Sequence, residues 1–217
     1  MTRWTSLAGR ALAASIVAPL IVAALTLAAF VGGGVGAAYG QAFTGLAPAD
    51  PVPAAAELRP GLGVKYLIQK FDSLREIEDM ATWSKPSVGE PLPMLDYNVG
   101  RGAVLSNHNE DLVGAFIDGF IKLEQMGTYF FAVQHNDGVR LTLGGQQLYE
   151  DGLVAPDRFS PNLEVMIDNP GWYAISLLYY EKRNTSTLEL YWQPPGAEEF
   201  VFVPAEAFKH LPADPAN

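Results

Sequence analysis

The tripeptide Asn136-Asp137-Gly138 places an amide and a carboxylate side by side between two predicted strands. Asn and Asp tolerate a positive φ angle and Gly adopts it without steric cost, so the tripeptide predicts a turn. Calcium accepts carboxylate and amide oxygens, but it takes about six to eight ligands, so a second loop would have to contribute. The candidate is the loop over residues 182–187, with Asn184 and the neighbouring Glu181. The same tripeptide is also common in simple hairpins, and that alternative stays open.

Catalytic chemistry has little support in the sequence. The chain has no cysteine, and none of its histidines has a second histidine at metal-ligand spacing. No nucleophile elbow and no phosphate-binding glycine loop are present. Paired carboxylates such as Glu198-Glu199 do not by themselves indicate a glycosidase, because that activity depends on the distance between the two carboxyl groups. We therefore predict that the protein is not an enzyme.

Aromatic residues near the turn could stack on a sugar ring, although most of them alternate along strands and should lie in the core. We expect Tyr149 and Tyr191 to be the exposed ones, and His135 to be a solvated strand end. The predicted ligand-binding set is therefore Asn136, Asp137, Asn184 and Tyr191.

The elements around these residues are strands. Val139, Leu141 and Leu143 alternate with polar residues, whereas residues 172–181 have little polarity on either face, as in a strand buried from both sides. About eight short strands with frequent Gly and Pro turns, and one short helix over residues 73–81, indicate an antiparallel β-sandwich or barrel. Gly119 predicts a kink or bulge in its strand.

The charge of the chain limits its partners. Its 217 residues carry 24 acidic and 14 basic side chains, for a formal net charge of −10. Nucleic-acid binding needs clustered Lys and Arg, so no nucleic-acid partner is predicted.

The first residues predict export. Two arginines precede an uncharged apolar run that ends in small residues, so residues 1–42 are typical of a signal peptide. Residues 11–31 are long enough to span a bilayer if this segment stays uncleaved as a signal anchor, which would be the only membrane contact. Residues 43–60 contain four prolines and predict an extended linker, residues 61–211 form the predicted β-domain, and residues 212–217 form a disordered tail.

Several motifs along this domain resemble the protective-antigen domain family. They occur in the family's order: Gly61-Leu62 with Tyr66, Gly127–Phe131, Asn136–Leu141, Gly144-Gly145, Pro170–Tyr173, Leu178–Glu181, Leu188–Trp192 and Phe202–Pro204. The resemblance covers nearly all of residues 61–211. It implies a non-catalytic β-barrel or sandwich of the kind that secreted glycosidases, adhesins and toxins commonly use to bind carbohydrate.

The resemblance also implies a metal site. In the sugar-binding members, two adjacent aspartates hold calcium together with an asparagine from a later loop. These positions fall on Asn136, Asp137 and Asn184. Asn136 replaces an aspartate, which keeps an oxygen ligand but removes one charge and should weaken calcium binding.

The sequence therefore predicts an exported binding module of a bacterium. It would be secreted, periplasmic or located at the cell surface. Its predicted partner is a glycan or polysaccharide, with calcium as the predicted cofactor. The alternative is a structural or assembly domain that contacts another envelope protein without sugar or metal.

Overall fold

The computed structural model describes residues 42–213, which form two antiparallel β-sheets stacked as a sandwich. One face of each sheet contributes apolar side chains to a shared core, which confirms the predicted all-β class. In chain order, the elements are β1 (Arg59–Pro60), β2 (Gly63–Ile68), α1 (Leu74–Ala81), β3 (Ser87–Val88), β4 (Asp96–Gly100), β5 (Val113–Leu123), β6 (Gly127–Asn136), β7 (Gly138–Leu143), β8 (Gln146–Asp151), β9 (Arg158–Phe159), β10 (Leu163–Ile167), β11 (Gly171–Glu181), β12 (Ser186–Gln193), β13 (Val201–Phe202), a short 3₁₀ turn (Ala205–Ala207) and β14 (Phe208–His210).

The two sheets differ in size. The eight-stranded sheet follows the order β1-β14-β5-β11-β7-β8, with β2 paired to β5 and β3 paired to β2. The six-stranded sheet follows the order β10-β6-β12-β13, with β4 on β12 and β9 on β6. β11 is central in the larger sheet, because it pairs with β5 along its whole length and with β7 on its other side.

Helix α1 covers part of the outer face of the eight-stranded sheet. The Ser73 hydroxyl accepts the backbone N–H of Glu76 at 3.3 Å, so the predicted helix and its serine cap are confirmed. Leu74 and Ile77 pack with outward-facing side chains of β11 in a second, smaller core. β11 is therefore buried on both faces only where the helix covers it, and its first half is partly exposed.

The predicted kink or bulge at Gly119 is wrong, because β5 pairs with β11 without a shift in register. Gly119 instead allows a close approach. A Cβ atom there would lie 2.6 Å from the carbonyl oxygen of Lys209 and 2.8 Å from the side chain of Leu62. The glycine therefore marks backbone crowding against β14.

Residues 43–49 pack against the sandwich, which differs from the extended linker that the sequence predicts. Phe43 forms an isolated parallel β-bridge with Val165, and its backbone N–H donates to the backbone oxygen of Glu164 at 2.8 Å. Leu46 is buried in the main core. The prolines of this segment predict an extended backbone, but they do not reveal that two apolar side chains before the first proline, Phe43 and Leu46, pack against the sandwich.

The predicted signal peptide or signal anchor, except for Ala42, lies outside the described residues, as do residues 214–217 of the predicted tail. Within residues 42–213, no helix is long and apolar enough to cross a bilayer.

Candidate functional site

The Asn136-Asp137 turn connects the two sheets. Asn136 is the last residue of β6 in the six-stranded sheet, and Gly138 is the first residue of β7 in the eight-stranded sheet. The peptide bond between Asn136 and Asp137 is cis. A Cβ atom at Gly138 would collide with the ring of Tyr180, so only glycine fits there. The predicted turn is confirmed, but the simple hairpin alternative is wrong.

Asp137 is a buried carboxylate that joins separate segments of the chain. One of its oxygens accepts the N–H of Ala155 and the other accepts the N–H of Lys182, both at 2.9 Å. The N–H of Asp137 itself donates to the oxygen of Tyr180 at 3.1 Å. Burial raises the pKa of Asp137, although the two amide hydrogen bonds favour its charged form. The side chain therefore has a clear structural role at the end of the sandwich.

Asn136 is also buried, and its amide nitrogen and backbone oxygen bond to residues that are distant in the sequence. Its amide nitrogen donates to Asp157 Oδ1 and to Thr185 Oγ1, each at 2.9 Å. Its backbone oxygen accepts the hydroxyl of Tyr179 at 2.5 Å. These bonds tie the turn to the segment before β9 and to the loop before β12.

His135 is not a solvated strand end, because its side chain is completely buried. Its Nδ1 lies 2.6 Å from the carbonyl oxygen of Asp137, so Nδ1 donates, and Nε2 accepts the hydroxyl of Tyr149 at 3.1 Å. Burial lowers the pKa of His135, which favours this neutral form. Tyr149 was expected to be exposed, but it is half-buried and its hydroxyl is bonded to His135.

The loop of Asn184 reaches the turn through Lys182 and Thr185, but the hydrogen bonds of Asn184 itself are to other residues. The N–H of Asn184 donates to Asp111 Oδ1 at 2.7 Å, and its side-chain oxygen accepts from Arg101 at 3.4 Å. In the described part of the chain, no group of three or more His, Cys, Asp or Glu side chains is arranged to hold a metal ion. Calcium also accepts amide and backbone oxygens, so this absence does not decide the prediction for Asn136, Asp137 and Asn184. Calcium binding by these residues stays a prediction that requires Arg101 to leave Asn184.

Glu181, the other helper residue considered for calcium, is fully buried at the end of β11. Neither of its carboxylate oxygens has a hydrogen-bond partner among residues 42–213. Burial, together with the charges of Asp111 and Asp137, raises the pKa of Glu181 to about 8. Its carboxyl group is therefore mostly protonated at neutral pH as long as no cation lies beside it.

An exposed group of rings lies on the outer face of the six-stranded sheet, and we call Phe159, Tyr191 and Phe202 the aromatic patch. Tyr191 on β12 stands opposite Phe202 on β13, and their ring centroids are 4.5 Å apart in a stacked arrangement. Phe159 on β9 lies 5.8 Å from Tyr191. Phe159 is 57% exposed and Phe202 is 37% exposed. Contiguous exposed rings of this kind mark interaction surfaces.

Polar groups adjoin the aromatic patch. The Tyr191 hydroxyl donates to Glu189 at 3.1 Å, and burial followed by the nearby Glu189 charge raises the pKa of Tyr191 to about 12. A cavity of about 270 Å³ opens beside the rings, and it is lined by Ala132, Phe159, Ser160, Asn162, Tyr191 and Phe200. This arrangement offers an apolar surface with hydrogen-bonding groups at its edge.

The turn and the aromatic patch belong to the same sheet. On β12, Thr187 stands opposite Asn136 and Tyr191 stands opposite Ala132. Four residues along a strand span roughly 14 Å, so the two regions are separate, although Thr187 and Tyr191 lie on the same face of the sheet.

A family model described as the PA14 domain matches residues 106–204, a segment that contains both the turn and the aromatic patch. Residues 106–204 are therefore similar to the PA14 domain family. The protective-antigen family expected from the motifs is thereby confirmed. The comparison with curated proteins gives no match.

Solved structures show the same PA14 fold. The PA14 domain of the MpAFP antifreeze protein has a TM-score of 0.60 at 16% identity, over 77% of this chain and 100% of that one. The PA14 sugar-binding domain of an RTX adhesin has a TM-score of 0.56 at 16% identity, over 70% and 98%. The A domain of Epithelial Adhesin 9 from Candida glabrata, in complex with Galβ1-4GlcNAc, has a TM-score of 0.58 at 14% identity, over 79% and 96%.

An anti-sigma factor domain-containing protein is also similar, with a TM-score of 0.57 at 19% identity over 69% of this chain. The chain spans about half of that protein, 48% of its length. At these identities the similarity shows a shared fold only. The ligands of these proteins are not thereby assigned to this chain.

The sequence does not predict two of the three rings of the aromatic patch, Phe159 and Phe202. Phe159 belongs to a strand of only two residues inside a loop, and Phe202 meets Tyr191 only through cross-strand pairing. One signal was available, because alternation in the segment over residues 200–204 places Phe200 and Phe202 on the same face. Of the predicted ligand-binding residues, Asn136 and Asp137 lie together, whereas Asn184 and Tyr191 lie in different places.

Proposed function

We propose that this PA14 domain is an exported, non-catalytic module that binds carbohydrate through the aromatic patch. The observation that carries the proposal is the contact of exposed Phe159 and Phe202 with half-buried Tyr191, of which Tyr191 and Phe202 are stacked, beside a hydrogen-bonding rim. Two similar structures support the ligand class, since one is described as a sugar-binding domain and another contains Galβ1-4GlcNAc.

The chemistry of a pyranose ring suits this surface. The ring has an apolar face of C–H groups that can stack on an aromatic ring, and a rim of hydroxyl groups that need hydrogen-bond partners. Glu189 and Asn162 lie near Tyr191 and could supply acceptors and donors, and a charged acceptor makes the stronger bonds. The aromatic patch therefore offers both parts of sugar recognition.

The aromatic patch is also held in place before any ligand binds. Tyr191 is fixed by its cross-strand neighbour Phe202 and by its hydroxyl bond to Glu189. Immobilising a flexible side chain on binding costs about 0.5–1.5 kcal/mol, so rings that are already fixed lose less free energy.

Calcium remains a separate prediction within this proposal. Asp137 and Asn136 would hold the ion, with Asn184 as the third ligand after Arg101 moves away. Calcium would supply open coordination positions for sugar hydroxyls at the turn. The aromatic patch needs no ion, so the two modes of binding can be separated by experiment.

The test is binding of the full chain to a glycan array, followed by titration of the best glycan. Phe159→Ala should reduce affinity at least ten-fold, because it removes an exposed ring without opening the core. Trp83→Ala is the matched control, since Trp83 is 73% exposed and lies just after α1, outside the aromatic patch. Unchanged affinity of Phe159→Ala, or a chain that binds an envelope protein and no glycan, would overturn the proposal.

A further inference from the structure

A large open groove crosses the outer face of the eight-stranded sheet, on the opposite side of the sandwich from the aromatic patch. We call it the sheet groove. It has a volume of about 820 Å³ and extends from β2 across β5 and β11 to β7. Ligand-binding clefts commonly enclose about 300–1,000 Å³, so the sheet groove is of a suitable size.

Small and short side chains explain why the sheet groove exists. Gly63 on β2 stands opposite Asp118 on β5, Asp118 opposite Ser176 on β11, and Ser176 opposite Thr142 on β7. This row crosses four neighbouring strands, and three strand spacings of about 4.8 Å make it roughly 14 Å long. Because no residue of the row has a bulky side chain, the row forms a depression between the larger side chains on either side of it.

Aromatic side chains flank the row on the same face. Phe116 and Phe120 lie two residues before and after Asp118 on β5, so all three side chains emerge on the same side of the sheet. Both phenylalanines line the sheet groove and are half-buried. A carboxylate therefore lies between two rings at the centre of the floor.

The polar groups of the floor are available to a ligand. Among residues 42–213, Asp118 has the charge of Lys65 nearby but no hydrogen-bond partner, and Ser176 and Thr142 line the sheet groove with it. Asp118 keeps solvent access along the open side, while burial on its other sides raises its pKa against the opposing effect of Lys65. His210 at the rim is buried and its Nδ1 donates to the oxygen of Gly61 at 3.0 Å, so the ring is fixed.

We propose that the sheet groove binds a linear, neutral glycan chain laid across the strands. The inference rests on the carbohydrate class of the proposed function but places a second site on the other sheet. A row of carboxylate and hydroxyl groups can bond to successive sugar hydroxyls, and the flanking rings can contact the apolar faces of the sugars.

Charge and sheet geometry select this occupant. Lys65 and Asp118 balance one another locally, and the net charge of −10 disfavours a polyanionic ligand. An extended peptide gains affinity mainly by adding a strand at a free sheet edge. The central floor strands β5 and β11 are paired on both sides, so they offer no free backbone for such an addition.

The test is affinity gel electrophoresis of the full chain in gels that contain one neutral linear polysaccharide each: β-1,4-glucan, β-1,3-glucan, mannan or galactan. Ser176→Trp fills the floor, and Asp118→Ala removes its central acceptor. Thr128→Trp is the control for a tryptophan on an outer sheet face, because Thr128 is half-buried on β6 of the other sheet. Melting curves confirm that each variant is folded.

At least one polysaccharide should retard the wild-type chain, and both groove variants should weaken that retardation at least ten-fold while Thr128→Trp does not. Retardation lost only in Phe159→Ala would overturn this inference and leave the proposed function standing. Retardation lost only in the groove variants would support the inference and count against the aromatic patch. Absence of retardation by every polysaccharide would overturn it, as would concentration-dependent dimerisation that Ser176→Trp abolishes, since a second copy would then fill the groove.

Discussion

The Asn136-Asp137 turn and the aromatic patch lie on the same sheet, yet they use their functional groups in opposite ways. Asp137 and Asn136 are buried, and their side chains bond to other segments of the same chain. In the aromatic patch, Phe159 and Phe202 are exposed and Tyr191 is half-buried, and the only hydrogen bond of these side chains among residues 42–213 is from Tyr191 to Glu189. Asn136 and Asp137, which the sequence marks most strongly as candidate ligands, therefore stabilise the end of the sandwich. The residues with a weak signal form the open surface.

The largest expected effect is loss of stability in Asp137→Ala. The change leaves the N–H groups of Ala155 and Lys182 without their acceptor, and each unsatisfied buried group costs about 1–3 kcal/mol. We expect the free energy of unfolding to fall by roughly 2–5 kcal/mol, measured by urea denaturation. Asp137→Asn, which keeps one acceptor oxygen, is the control and should lose less. A wild-type unfolding curve for Asp137→Ala would mean that the turn does not have the structural role assigned to it.

The next effect concerns the pH dependence of stability near the turn. The pKa of Glu181 is raised from 4.5 to about 8 in the folded chain. The folded state therefore holds a proton that the unfolded state releases, and stability should fall as the pH rises from about 4.5 to about 8. At about 1.4 kcal/mol per pKa unit, the loss is up to roughly 5 kcal/mol.

Glu181→Gln removes this titration, so it should be more stable than the wild type at pH 8 and have a flatter profile of melting temperature against pH. Glu150→Gln, at an exposed position on β8, is the control. Parallel profiles for the wild type and Glu181→Gln would contradict the assignment of a buried, protonated carboxyl group.

The aromatic patch should behave in the reverse manner, with a change in affinity and almost none in stability. Phe159→Ala removes an exposed ring, and surface substitutions of this kind usually change stability by about 0.5 kcal/mol or less. A ten-fold loss of glycan affinity corresponds to about 1.4 kcal/mol of binding free energy. Titration calorimetry and urea denaturation of the same variant give both numbers. A large loss of stability with unchanged affinity would erase the contrast with Asp137.

The smallest expected effect is that of calcium on the aromatic patch. Because no acidic group of the turn contacts the rings, we expect glycan affinity to stay within about two-fold when EDTA or millimolar calcium is added. The same samples test calcium at the turn by thermal melting. Ligand at about a hundred times its dissociation constant adds roughly 2.7 kcal/mol of stability, which would confirm the calcium prediction. Glycan binding abolished by EDTA would show that the sugar binds at the turn.

The fold was largely predictable because local patterns decide it. Val139, Leu141 and Leu143 alternate in the sequence and are buried on one face in the structure. The serine cap at Ser73 also follows from residues close in the chain. The Asn136-Asp137-Gly138 signal predicts that the chain turns, but it does not show that the next strand joins another sheet. That outcome depends on pairing with β11, far away in the sequence.

The candidate site was predicted less well, because it depends on contacts between distant segments. Tyr191 was expected to be exposed from its alternation, but its neighbours Phe159 and Phe202 follow only from the register of β9 and β13. The sequence predicts His135 to be a solvated strand end because it lies beside the turn. It is buried because Tyr149 and the carbonyl of Asp137 satisfy both ring nitrogens.

A crystal structure of the full chain with the best glycan from the array tests the central claim most directly. The account predicts a sugar ring stacked on Phe159, Tyr191 and Phe202, with its hydroxyl groups bonded near Glu189, and an Asn136-Asp137 turn that keeps its bonds to Asp157 and Lys182. A sugar held at the turn by Asp137, with the aromatic patch empty, would contradict it.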